Sequence, residues 1–208
     1  MTKDQIHQCA ETSADRSGAF RRAIRLVAAF NLCYFGVEFA VALAIGSVAL
    51  FADSIDFLED ASVNLLILLA LGWSAPWRAR TGMALAGILL VPGLATLWTA
   101  WGKFAAPVPP EPFALTVTGA GAFVVNLTCA LLLARSRRHE GSLSKAAFLS
   151  ARNDVFANLA IIGAGLATAL TLSAWPDLVV GLGIAAMNAG AAREVWQAAR
   201  KERLDAAA

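Results

Sequence analysis

Six stretches of about 20 mostly apolar residues, the length a helix needs to cross a bilayer, occupy nearly all of this 208-residue chain: roughly 24–45, 48–72, 82–104, 113–134, 146–171 and 175–192. A helix is the form such stretches must take in lipid, because it satisfies its own backbone polar groups where no water can. Hydrophobic residues make up 58% of the chain and charged residues 15%, which leaves no stretch with the composition of a soluble domain. The sequence therefore predicts an all-α, polytopic membrane protein with six transmembrane helices. Its parts are a polar N-terminal segment at 1–22, a six-helix domain at 23–192 and a short tail at 193–208. The opening "MTKDQIHQCAETSADRSGAFRR" is too long and too acidic ahead of the first apolar run for a secretory signal, so the first helix is expected to be retained.

Charge gives the orientation. Of the 17 Lys and Arg, 15 fall in four regions: the start (Lys3, Arg16, Arg21, Arg22, Arg25), the second loop (Arg78, Arg80), the fourth loop (Arg135, Arg137, Arg138, Lys145) and the tail (Arg193, Arg200, Lys201, Arg203). With six spans these regions share one side, and the positive-inside rule makes that side, with both termini, cytoplasmic. Only Lys103 belongs to the other side, where "AAPVPPEP" at 105–112 breaks the helix and connects spans three and four. Asp177, after Trp175 and Pro176, is expected to cap the sixth helix. Cys9, Cys33 and Cys129 are far apart and read as small apolar fillers, not as a disulfide or zinc framework. His7 and Cys9 in the start and His139 in the fourth loop are too sparse to signal a metal site.

Span two contradicts its own apolar setting: "ALFADSIDFLEDASVNLLILLAL" carries Asp53, Asp56, Glu59 and Asp60. At 100° per residue, Asp53, Asp56 and Asp60 lie within about 60° of one another on a helix, and Asn64 continues the stripe. Glu59 faces away. An ionised carboxylate at mid-bilayer costs roughly 2.5–3.5 kcal/mol on insertion scales, so the stripe needs a cavity, a counter-charge or a metal. Span five repeats the pattern with Ser150, Asp154 and Asn158 at successive i, i+4 positions. Laying Asp60 over Asp154 also aligns Asn64 with Asn158, and "NLCYFGVE" aligns with "NLTCALLL" at a similar offset of about 95 residues. Such halves would be inverted repeats around a midplane site. Asn31, Glu38 and Asn126 either line a path or hydrogen-bond between helices. Arg152 either snorkels to the headgroups or pairs with an acid of span two.

At these residues the chain resembles the cation diffusion facilitator family of divalent metal/proton antiporters, the zinc-transporter-like proteins. The motifs that carry the resemblance are "NLCYFGVEFAVALAIGSVALFADSIDFLED", "AAFLSARND" and "WPDLVVGLGIAAMNAGAAREV". It implies metal efflux from the cytoplasm across the cell (inner) membrane, by proton antiport, through two ligands four apart on helix two and two on helix five. By position these are Asp56 and Asp60, then Ser150 and Asp154. Ser150 stands where the family usually has His or Asp and is a poor ligand, so water, Ser150 or Asn158 is expected to complete the shell, with Asp53 at the entrance or in the outer shell. Three oxygen donors without an imidazole point away from strict zinc selectivity toward manganese, ferrous iron or magnesium, with cobalt admitted. Many members carry a cytoplasmic domain after the sixth helix that binds metal and helps dimerise. This chain ends soon after that helix, so a homodimer is expected to form through membrane helices. The expected partners are the metal ion, protons and lipid, with no bound cofactor and no nucleic acid. The alternatives are a transport-inactive sensor or partner subunit, motivated by Ser150, and an intramembrane aspartyl or metal-dependent hydrolase. The hydrolase lacks support from any GxGD or HExxH sequence.

Overall fold

Every apolar run whose structure is described becomes a helix, since within lipid-facing segments the i to i−4 hydrogen bonds are the only partners the backbone has. The computed structural model describes residues 3–70, 77, 94–136 and 142–205, and among these there are helices and no strands. The helices are α1 (Lys3–Ile45), α2 (Val48–Ala70), α3 (helical over 94–105), α4 (Pro112–Ser136), α5 (Ser142–Thr171) and α6 (Trp175–Asp205). Most of span three, the second loop with Arg78 and Arg80, and Arg137, Arg138 and His139 of the fourth loop lie outside the described residues. So do the side chains of His7, Cys9, Lys145, Ser150, Arg152, Arg200, Lys201 and Arg203.

The polar segments at both ends are helical. α1 begins at Lys3 and α6 runs to Asp205, so the helical conformation continues past the apolar runs. The cause is local: these ends are rich in Ala, Gln, Glu, Arg and Lys, all good helix formers, and no proline interrupts them. At 1.5 Å per residue, α1 is about 65 Å long, roughly twice a bilayer's hydrocarbon core. Arg21–Ile45, Pro112–Ala134 and Asn153–Thr171 are long and apolar enough to cross a membrane.

α2 sits in the middle of the bundle, touching α1, α4, α5 and α6. α1 packs along α2, and α4 along α5. The surface is inverted relative to a water-soluble protein: Leu170 is 86% exposed, Trp98 78% and Phe113 74%, whereas Asn31, Glu38, Asp53 and Asn158 have no exposure. Apolar outside and polar inside is the arrangement lipid imposes, and it identifies a membrane protein. One apolar cluster joins Ala42, Leu50, Phe51, Leu115, Ile161 and Ile184 from five helices. A second, made of Val27, Cys129, Ala130 and Leu133, joins α1 to α4. The polar network lies between them.

The connection from α1 to α2 is a two-residue turn in which Gly46 takes φ 64°, a conformation that costs a side-chain-bearing residue but not glycine. Ser47 then caps α2, its Oγ accepting the amide of Leu50 at 3.1 Å. Asp177, expected to cap its own helix, instead reaches across to α2. Its carboxylate accepts Ser47 Oγ at 2.6 Å, the Val48 amide at 2.9 Å and the Ala49 amide at 3.2 Å. Lys103 Nζ joins it at 2.7 Å and also donates to the Gly46 carbonyl at 2.6 Å. An acid near the start of a helix serves whichever exposed amides its rotamer reaches, and here the orphan N–H groups of α2 are closer to it than those of α6. Gly181 permits this approach: a Cβ there would lie 2.7 Å from the Val48 carbonyl carbon and 2.8 Å from the Ala49 nitrogen. The start of the acid-bearing helix is thereby fixed to α3 and α6.

Candidate metal centre

The stripe predicted on α2 forms, and it faces α5. Asp53 is fully buried, and Asp56 and Asp60 are partly buried behind it. Asn64, one turn on, donates its amide to the Asp60 carbonyl at 2.7 Å. From α5, Asp154 is 9% exposed, and its carboxyl lies within hydrogen-bonding reach of Asp60. The dominant charge acting on Asp56 is that of Asp154. Asp60 and Asp154, two of the acids named as ligands from sequence, thus lie beside one another on two helices, with Asp56 in their electrostatic field. Glu59, expected to point elsewhere, contributes to the same negative field, acting on both Asp56 and Asp154 from the neighbouring face.

The arrangement is gathered but not closed. Among the described residues, no three His, Cys, Asp or Glu converge on one point with metal-ligand geometry. A donor set of carboxylates alone fits a hard or borderline divalent ion taken up with water in its shell. The α5 position one turn before Asp154 belongs to Ser150.

Asn158 and Asp53 are joined to each other. Asn158 donates Nδ2 to Asp53 Oδ2 at 2.6 Å while its Oδ1 accepts Asn126 Nδ2 at 3.0 Å. Each end of the amide makes one hydrogen bond, forming a chain, Asn126 to Asn158 to Asp53, that joins α4, α5 and α2. Of the two roles open to Asn126, interhelical hydrogen bonding is the one observed. Asp53 turns to Glu38 of α1, whose carboxyl lies within its hydrogen-bonding reach.

Two residues gain importance that the sequence alone does not give them. Glu38 is wholly buried beside Asp53. Cys129, read as an apolar filler, is buried on α4 with its thiol 3.6 Å from Asn31 Oδ1 and within the electrostatic reach of Asp60 and Asp154. The i, i+7 spacing of Asn31 and Glu38 on one face of α1 is the only trace in the sequence that groups them.

Residues 24–201 match the family model described as the cation efflux transmembrane domain. The chain belongs to the cation efflux family. The match runs from the first apolar stretch into the end of α6 and takes in every acid of the candidate centre. No curated protein matches the chain. Members of the cation efflux family are transporters, not enzymes, which removes the intramembrane hydrolase alternative and makes this chain a divalent cation transporter of a membrane.

Proposed function

We propose that the chain exports divalent metal from the cytoplasm across the cell (inner) membrane in exchange for protons, at a site formed by Asp56 and Asp60 of α2 and Asp154 of α5. The observation that supports this reading is the proximity of Asp60 and Asp154: acids from two helices, each expensive in lipid, lie beside one another inside an apolar-surfaced bundle. Three described helices long and apolar enough to cross a membrane support a reading of six spans with both termini in the cytoplasm, and copies would pair through their lipid-facing helices.

The charge count supplies the coupling. Three carboxylates carry up to three negative charges and a divalent cation neutralises two, so metal and protons compete for the same oxygens. On the cytoplasmic side metal displaces protons, and on the outer side a higher proton activity displaces metal. Access alternates as the helices bearing the two half-sites rock relative to the rest. Without an imidazole, the oxygen-only donor set favours manganese, ferrous iron or magnesium and admits cobalt and zinc. Purified protein in liposomes loaded with a metal-sensitive dye tests this across zinc, cobalt, manganese, iron and cadmium. Flux driven by an imposed pH gradient and lost in Asp154→Asn is the expected result. Absence of flux for every ion would leave the transport-inactive sensor or partner subunit, the reading that Ser150 favours.

A further inference from the structure

The Glu38 carboxyl has no exposure, and neither Oε1 nor Oε2 has a hydrogen-bond partner. Asp53 is equally buried; its Oδ2 is held by Asn158, but its Oδ1 has none. These three oxygens belong to two carboxyls on different helices that face each other at hydrogen-bonding reach, and two carboxylates have no hydrogen to share. The groups around them do not supply one. Tyr34, one turn before Glu38 on α1, donates its hydroxyl to the Thr118 carbonyl at 2.6 Å. Asp56 on the same helix as Asp53, and Asp154 on α5, add further negative charge. From α4, Asn126 is spent on Asn158. Among the described residues, no lysine, arginine or histidine pairs with either carboxyl, and Lys103 is engaged by Asp177.

We propose that Glu38 and Asp53 form a second cation site, separate from Asp56, Asp60 and Asp154, in which a hard cation, a proton or a metal ion, lies between the carboxyls of α1 and α2. Buried carboxylates in contact persist only with a positive charge between them, and the Tyr34, Asn126 and Lys103 donors are committed elsewhere, while the unpartnered amide of Asn31 lies two turns away along α1. Glu38 enters from a helix that carries no part of the α2–α5 centre, which makes this more than an extension of the acid stripe. Asn158 orients Asp53 by holding one oxygen, leaving the other turned to Glu38. The site depends on charge and burial and stands whether or not the transport reading does.

Glu38→Gln tests it, because the glutamine amide has the same shape and can donate to Asp53 Oδ1, replacing the cation with an N–H. Full-length protein in detergent is compared with the wild type by infrared difference spectroscopy, for the carbonyl band of a protonated carboxylic acid, and by equilibrium dialysis against manganese and against zinc, for bound ions per chain. If the occupant is a proton, the variant loses one carboxylic-acid band and binds as many ions as the wild type. If it is a metal ion, the variant binds one ion fewer per chain and the band region is unchanged. A variant identical to the wild type in both measurements overturns the proposal. If Glu38→Gln does not fold, Asp53→Asn carries the same comparison with the same three outcomes. Asp154→Asn serves as a control: its effect on metal binding reports on the α2–α5 centre alone, so the two sites fail or stand separately.

Discussion

Replacing Asp177 by alanine removes four interactions at once, and the structure ranks them. The Ser47 hydroxyl and the Val48 and Ala49 amides lose the carboxylate at the start of α2, a capping loss of about 1 kcal/mol. Lys103, whose side chain is 7% exposed, loses its ion-pair partner at 2.7 Å, and a buried charge left alone costs about 3–5 kcal/mol. Together these give roughly 4–6 kcal/mol, most of it owed to the stranded lysine. Lys103→Met alone should cost less, because Asp177 keeps three donors from α2. Adding Lys103→Met to Asp177→Ala should then restore stability, leaving a deficit of about 1–2 kcal/mol and a coupling energy above about 2 kcal/mol. Reversible unfolding of the four proteins by SDS in mixed micelles measures this cycle. Additive losses, or a Lys103→Met variant as unstable as Asp177→Ala, would refute the assignment of Asp177 to α2 and Lys103.

Gly181→Ala places a methyl against the backbone of Val48 and Ala49, where no rotamer change relieves it, and should cost about 1–3 kcal/mol in the same unfolding assay. Asn158→Leu should lower stability by about 1–3 kcal/mol, because it strands both the Asn126 amide and Asp53 Oδ2 in the core. Ser150→His should shift the flux profile in liposomes toward zinc, since an imidazole adds a softer nitrogen donor, and an unchanged profile would exclude that position from the centre. Metal affinity, read by titration calorimetry, should weaken as pH falls, because the ligand oxygens must be free of protons to bind.

Where periodicity alone decides the outcome, the sequence was sufficient. The apolar runs in α1 and α4 follow from composition, and the shared face of Asp56 and Asp60 on α2 follows from 100° per residue. The facing of α2 and α5 was legible because two polar stripes in lipid have only each other to face. What depends on tertiary approach was not legible. Glu38 could be placed on a face of α1, but only the packing of α1 along α2 sets it against Asp53. Asp177 precedes nothing in its own segment that names α2 as its partner, and the permissive residue, Gly181, lies one turn further along α6. Asn158 carries the same pattern as a ligand position, and only the packing of α4 and α2 against α5 shows that it bonds Asn126 and Asp53. The helical ends of α1 and α6 were hidden because polarity predicts exposure to water and says little about helix content.

In the proposed transporter one divalent ion is held jointly by α2 and α5 through carboxylates. X-ray absorption at the metal edge, on full-length protein loaded with manganese, reads that shell directly. A first shell of oxygen alone is expected, with bound ions lost in Asp154→Asn and in Asp60→Asn alike. A sulfur in the shell would bring in Cys129 in place of the all-oxygen centre, and an unchanged spectrum in Asp154→Asn would contradict the claim outright.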